Sequence, residues 1–332
     1  MRLTALDEIR AGDVAAQNIF GRNGALMLGK GKQITESNIR VLTRIGVSEV
    51  YIEDGQSDGI DVKSPLSDDT LMKTTEALNR FSLDDIIECS KRIVDELADN
   101  LFSADMLMIR SHDHYTCQHS INVAVYSTVL AKALGFAGSD VEKITQAALL
   151  HDIGKIFIPV EILSKPAKLT DQEYDAMKKH SELGYNELRK RSDILSVVRV
   201  GVLEHHENVD GSGYPGHKTG DQLHKIGKII HIADVYDALT SVRAYKNAWS
   251  GEQAMKHIVD MSDKMFDGKY ANTFKKCTPV YRKGTMVKLS DGRLALVERN
   301  RINSPDRPVV RLLDGSTNID LSKESNISIV NF

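Results

Sequence analysis

Five histidines and two aspartates stand in five short segments of this chain: His119, His151-Asp152, His180, His205-His206 and Asp234. A lone buried imidazole is usually a hydrogen-bonded core residue. Seven such groups, with His151 and His205 each followed directly by a second potential ligand, exceed what an ordinary core absorbs. The fold must therefore carry five separated points of the chain to one cavity. That requirement constrains the architecture more than any compositional property.

The surrounding pattern says how this is done. From Leu71 the apolar residues recur at helical spacing and continue so until Pro279. Ile86, Ile93, Leu97 and Leu101 mark one amphipathic helix, near 84–101, and Ile121, Val125, Val129 and Ala133 mark another. Asp140 is a candidate N-cap for a helix carrying Ile144, Ala147, Ala148 and His151. Thr170 and Glu173 form a capping-box signature for the helix that carries His180. Helices over 221–245, with Asp234, and over 251–265 complete the set. The ends read differently. Val14–Phe20, Gly24–Leu28 and Val50–Ile52 are strand-like around a helix from Ser37 to Ile45, and Met286–Leu289, Leu294–Val297, Val309–Leu313 and Ile327–Val330 are strand-like with Asp291-Gly292 and Asp314-Gly315 as turns. The expectation is a mainly α chain: a small α+β regulatory module (1–62), a linker leading into the first helix (63–83), a helical catalytic bundle (84–278) and a small β-rich module (279–332).

Composition narrows the function. A net charge of −3 argues against a binder of nucleic-acid polymers or anionic membranes. Cys89, Cys117 and Cys277 show no paired spacing, the start lacks a signal-peptide core, and no apolar run approaches the ~20 residues of a spanning helix. A soluble cytoplasmic protein is expected.

Imidazole and carboxylate donors suit borderline divalent metals, iron and manganese among them. A His-Asp pair can face one cavity where its helix terminates, and Ile153-Gly154 supplies that break. Asp152 is the natural bridge between two ions. Such a pair can share a hydroxide, polarise a phosphoryl oxygen and stabilise the leaving alkoxide. Lys155, one turn beyond His151, is placed to neutralise phosphate charge or assist the leaving oxygen. His112, His114, His217, His224, His231 and His257 lack this patterning and are assigned to surface, packing or loop roles, His231 least securely because it lies three residues before Asp234. Asp237 shares the helix face of Asp234 and is expected to support a ligand or the packing.

Tyr115–Ser120, His151–Lys155, Lys179-His180, His205–Pro215 and Asp234–Ser241, the last continuing to Arg243, Tyr245 and Lys246, together resemble the HD-GYP domain, a branch of the HD metal-dependent phosphohydrolases. The resemblance covers residues from about 112 to 277, and Asp210-Gly211-Ser212-Gly213-Tyr214-Pro215 is its most specific part. It implies hydrolysis of cyclic di-GMP to pGpG and onward to GMP, or of the hybrid 3′,3′-cyclic GMP-AMP. It implies one metal on His119, His151, Asp152 and Asp234, and a second on Asp152, His180, His205 and His206. It implies phosphate contacts from Lys155, Arg243 and Lys246, and a loop of Gly213, Tyr214 and Pro215 beside the site. Members with three metals carry Glu four residues before the first His. Tyr115 stands there, and a phenol with a pKa near ~10 is a poor substitute, so two divalent ions are expected.

Two other readings compete. A cyclic-dinucleotide effector would bind without turnover, and an HD-fold di-iron oxygenase would consume oxygen. The Lys155, Arg243, Lys246 set fits a phosphodiester better than a polyol. A homodimer through the helix near 84–101, and a signalling partner such as a diguanylate cyclase, are further expectations.

Overall fold

The computed structural model describes residues 1–21, 25–98, 115–241, 248–301, 303–315 and 317–330, without the side chains of Tyr115 and Thr116. Arg243, Lys246, His112, His114, residues 99–101 and the Tyr115 side chain thus lie outside the described residues. The chain divides into two units: the described residues of Met1–Ser67 with Lys276–Phe332, and those of Asp68–Leu101 with Thr116–Lys275.

In the first unit, β1 (Arg2–Ala5), β2 (Val14–Ala15), β3 (Ile19–Phe20), β4 (Leu26–Leu28), α1 (Glu36–Arg44) and β5 (Glu49–Glu53) come from the N-terminal part. The sheet order is β1-β5-β2, with β3 and β4 as a separate hairpin. The expected strand 14–20 is thus two strands, parted where the Gln17 side chain donates to the Val62 carbonyl at 3.0 Å. β1 had no signal in the sequence.

The second unit begins with α2 (Asp68–Arg80) and α3 (Leu83–Glu96), followed by α4 (Tyr115–Ala133), α5 (Gly138–Leu150), a 3₁₀ turn (Ile153–Phe157), α6 (Val160–Leu163), α7 (Asp171–Lys178), α8 (His180–Leu188), α9 (Ser196–Glu204), α10 (Lys225–Thr240), α11 (Gly251–Asp260) and α12 (Gly268–Cys277). α3 ends at Glu96, short of the expected 101, with Leu97 as its cap. α4 departs from the one-sided helix expected of it: every residue from His119 to Ala131 is buried. α10 is almost as fully enclosed. Helices apolar on all sides belong at the centre of a bundle, with the others around them. Tyr126 of α4 meets Tyr236 of α10 edge-on at 5.2 Å, and Phe274 packs against both rings.

Helix ends carry most of the other differences. α5 starts at Gly138 after Ala137, so Asp140 sits inside the first turn and pairs with Lys143 and Lys225 instead of capping. The Thr170–Glu173 capping box forms, but its helix stops at Lys178, and His180 opens a new one. α10 spans 225–240 rather than 221–245, begun by His224, whose Nδ1 accepts from the Ile226 amide. α11 stops at Asp260 rather than 265.

The C-terminal part returns to the first unit with β6 (Met286–Leu289), β7 (Leu294–Arg299), β8 (Val309–Leu312), β9 (Asn318–Asp320) and β10 (Ile329–Val330), an antiparallel sheet in the order β10-β6-β7-β8-β9. Gly292 and Gly315 turn two of its hairpins at positive φ, as the Asp-Gly signals require. The two ends were expected as separate modules. Instead Ala16, Tyr51, Ile60 and Val62 share an apolar cluster with Leu296, and the Tyr51 hydroxyl donates to the Lys283 carbonyl at 2.9 Å.

Candidate metal centre

The five segments meet inside the helical unit, most of them at helix ends. His151 caps α5, and Asp152 opens the 3₁₀ turn. His180 is the first residue of α8. His205 caps α9, with His206 next. His119 and Asp234 instead lie within α4 and α10, the two enclosed helices. A helix end frees adjacent side chains to point into one cavity, which two neighbours in mid-helix cannot do.

Two clusters result: His119, His151 and Asp152, and His180, His205 and His206. In the first, His119 Nε2 and His151 Nε2 stand 3.2 Å apart, and Asp152 Oδ2 lies 3.4 Å from His151 Nε2 and 3.7 Å from His119 Nε2. In the second, His180 Nε2 and His205 Nε2 are 3.2 Å apart. Asp152 Oδ1, the other oxygen of the same carboxylate, is 3.5 Å from His180 Nε2. Asp234 spans both clusters as well, with Oδ1 3.1 Å from His119 Nε2 and Oδ2 3.7 Å from His206 Nδ1. The family resemblance implied Asp234 for the first cluster alone.

The donor set fits divalent cations on two grounds. His151, His180 and His205 each turn Nδ1 toward the carbonyl three residues earlier, at 2.7, 2.8 and 2.7 Å. A ring that donates through Nδ1 presents a lone pair at Nε2, so the 3.2 Å approach of His180 and His205 sets two lone pairs face to face. A cation between them turns that repulsion into ligation. The spacings agree: bonds of ~2.0–2.2 Å place neighbouring donors about 2.9 Å apart at a right angle and about 3.5 Å apart at a tetrahedral one.

Electrostatics favour ligation by the histidines of the second cluster and by both carboxylates. Burial holds His205 well below the ordinary histidine range, lowers His180, and brings His206 to about 3, keeping all three neutral. Burial opposes ionisation of Asp152, but the Lys155 ammonium and His151 outweigh it and hold the carboxyl well below the usual range. Burial likewise opposes a charged Asp234, and His119 overcomes it. Burial also works against a charged His119, but the hydrogen bonds to Asp234 and Asp237 raise it to about 9.

Around the ligands, Lys155 Nζ donates to Asp152 Oδ2 at 2.5 Å. Asp237 Oδ2 is 2.7 Å from His119 Nδ1 and fixes its ring, the supporting role expected of it. Its other oxygen accepts from Asn122 Nδ2 at 2.8 Å. Asn122 was missed, although it lies one turn after His119 on α4. Glu207 was also missed: its buried carboxylate accepts the Gly216 and Lys218 amides and holds the loop after His206. In that loop a Cβ on Gly213 would fall 2.4 Å from the His206 carbonyl oxygen, so only glycine fits. Tyr214 donates its amide to the same carbonyl, and its ring lies 4.8 Å from that of His206. His231 stays outside both clusters, with Nε2 3.0 Å from Asn208 Oδ1 and its ring against Phe266.

Gly154 acts otherwise than expected. It has no positive φ, and its importance is closeness: a Cβ there would lie 1.9 Å from the His180 carbonyl oxygen. Its missing side chain lets the strand of chain after Asp152 press against the start of α8.

Comparison with known proteins agrees with this geometry. A family model described as HD domain matches residues 97–270. The chain is 34% identical over 192 residues to cyclic di-GMP phosphodiesterase PA4108 of Pseudomonas aeruginosa, covering 58% of this chain and 46% of that one. It is 39% identical over 176 residues to a cyclic di-GMP phosphodiesterase of Thermotoga maritima, covering 52% and 48%. It is 38% identical over 186 residues to 3′3′-cGAMP-specific phosphodiesterase 2 of Vibrio cholerae, covering 56% and 34%. The chain thus spans at most about half the length of these relatives. In fold it is similar to Bd1817, a HDG"Y"P protein of Bdellovibrio bacteriovorus, with a TM-score of 0.55 at 16% identity over 82% of this chain and 97% of that one. Among the described residues no helix is long and apolar enough to cross a membrane.

Proposed function

From the premise that the chain belongs to the HD domain family, we propose that its helical unit hydrolyses a cyclic dinucleotide, cyclic di-GMP first. The observation that carries the proposal is Asp152, whose two oxygens face two histidine clusters at 3.4 and 3.5 Å. The names of the relatives supply the substrate class. The hybrid 3′,3′-cyclic GMP-AMP is the alternative substrate, by the Vibrio cholerae relative.

His119, His151, Asp152 and Asp234 would hold one divalent ion, and Asp152, His180, His205 and His206 the other, iron or manganese. When bound, two such ions supply Lewis acidity at the phosphoryl oxygens and a nucleophile from water at neutral pH. The residues set the rest. Asp152 and Asp234 fix the spacing of the two halves. The carbonyls of Ala148, Met177 and Val202 lock three imidazoles in the tautomer with Nε2 free. Water adds to phosphorus and the bond to the 3′-oxygen breaks. Lys155 Nζ passes a proton to the leaving oxygen and regains one from the water that adds. Arg243 and Lys246, outside the described residues, are proposed to bind the second phosphate. Gly213 and Tyr214 shape the wall beside His206.

The test is to load the protein with Fe or Mn, incubate it with cyclic di-GMP and follow pGpG and GMP by chromatography. Tight binding without product under either metal would move the reading to an effector. Oxygen uptake on substrate addition would move it to an oxygenase. Metal analysis of active protein should return two ions per chain, and three tightly bound ions would overturn that count.

A further inference from the structure

Beside the metal centre, α6, α7 and the segment joining them line a cavity of about 420 Å³, within the range of ~300–1,000 Å³ typical of small-ligand sites. Ile162, Leu163 and Leu169 form apolar wall, and Tyr174 and Met177 come from α7. Tyr174 is 51% exposed. Its neighbour lysines are mostly engaged. Lys165 donates to both oxygens of Glu173 at 2.8 and 2.6 Å. Lys178 pairs with Asp175 at 2.6 Å while standing 5.2 Å over the Tyr174 ring. Lys168 lines the same cavity and makes no ion pair among the described residues.

The cavity is tied to the metal centre through Met177. Met177 lines it, and the Met177 carbonyl accepts His180 Nδ1 at 2.8 Å.

We propose that this cavity is a purine subsite, in which one base of the substrate stacks on the Tyr174 ring while the phosphodiester lies at the two histidine clusters. An open aromatic face backed by aliphatic side chains suits a planar base. The uncommitted Lys168 ammonium suits the O6 and N7 acceptors that guanine presents along one edge. The Lys178 ammonium, 5.2 Å from the ring centre, would polarise it. The subsite takes its substrate from the phosphodiesterase reading, but it is measured by binding alone.

Calorimetric titration of the metal-loaded full chain with GMP and with ribose 5-phosphate, in wild type, Tyr174→Ala and Tyr174→Phe, tests it. Tyr174→Ala should weaken GMP binding about tenfold, the loss of one base–aromatic stack. Tyr174→Phe should bind GMP as wild type does, ribose 5-phosphate should respond to neither substitution, and bound metal should be equal in all three. The subsite is overturned if wild type does not bind GMP or if Tyr174→Ala binds it unchanged. It is equally overturned if Tyr174→Ala weakens both ligands alike or loses metal, because the residue would then be structural. If the titrations come out as expected while wild type leaves cyclic di-GMP intact, the failure belongs to the phosphodiesterase reading and the purine subsite stands.

Discussion

Gly154→Ala should separate the two halves of the metal centre without removing a single ligand. A Cβ at this position would fall 1.9 Å from the His180 carbonyl oxygen and 2.5 Å from the Gly184 amide nitrogen, both backbone atoms that cannot rotate away. Ordinary contact begins at 3.4 Å, so the 3₁₀ turn and α8 must part by 3.4 − 1.9, about 1.5 Å. Asp152 Oδ1 and His180 Nε2 are now 3.5 Å apart. Two donors with bonds of ~2.1 Å can share an ion only while they lie within about 4.2 Å of each other. Half of the displacement along that line already reaches the limit. The overpacking itself should cost about 1–3 kcal/mol, which lowers the melting temperature but leaves a cooperative transition. After dialysis, elemental analysis should find about one ion per chain where wild type should return two, with hydrolysis of cyclic di-GMP lost. Gly138→Ala, whose Cβ would meet nothing within 4 Å, is the control and should behave as wild type. Two ions and full hydrolysis in Gly154→Ala would refute the idea that this close approach sets the spacing.

Asp152→Ala should abolish hydrolysis and lower metal content together, since both oxygens of the bridge are lost, whereas Lys155→Ala should keep the metal and slow turnover; chromatography alongside elemental analysis separates them, and retained activity in the first or large metal loss in the second would contradict the assigned roles. Asp237→Asn keeps the shape at His119 but removes the charge that fixes its ring, so metal affinity should fall by about 10–100-fold, as read by competition with a chromophoric chelator; unchanged affinity would show that Asp237 only packs. The metal-free chain should lose stability as pH falls below about 6.5. His180, His205 and His206 have folded pKa values depressed below the unfolded one, so their contribution is present above that pH and lost beneath it, at ~1.4 kcal/mol per pH unit for each ring kept neutral. His119, raised to about 9, works in the opposite sense: its contribution is full below 6.5 and fades between 6.5 and 9. Thermal melts of the apo protein should therefore peak near neutrality, and a flat profile from pH 7 to 5 would count against neutral, buried rings.

What could be read from the sequence was chemistry, and what could not was contact across space. His151-Asp152 and His205-His206 stood out because adjacent polar ligands have no place in a continuing helix, and the helices do end there. Asp237 was legible as a support because it shares a helical face with Asp234. Asn122 has the same one-turn relation to His119, yet an asparagine carries no comparable signal, and only the fold shows which carboxylate it meets. Glu207 escaped for a similar reason: its partners are backbone amides, which no side-chain pattern records. Helix ends moved because capping depends on neighbours. Asp140 satisfies the sequence rule for an N-cap, but Lys143 and Lys225 offer its carboxylate better-placed charge, and the helix starts two residues before it. Gly154 is the sharpest case. Read locally, it was a helix breaker; in space, it is the missing side chain that lets Asp152 reach His180. The bridging role proposed for Asp152 therefore depends on a residue with no chemistry of its own, and the proposed centre is specified as much by what is absent at position 154 as by the ligands themselves.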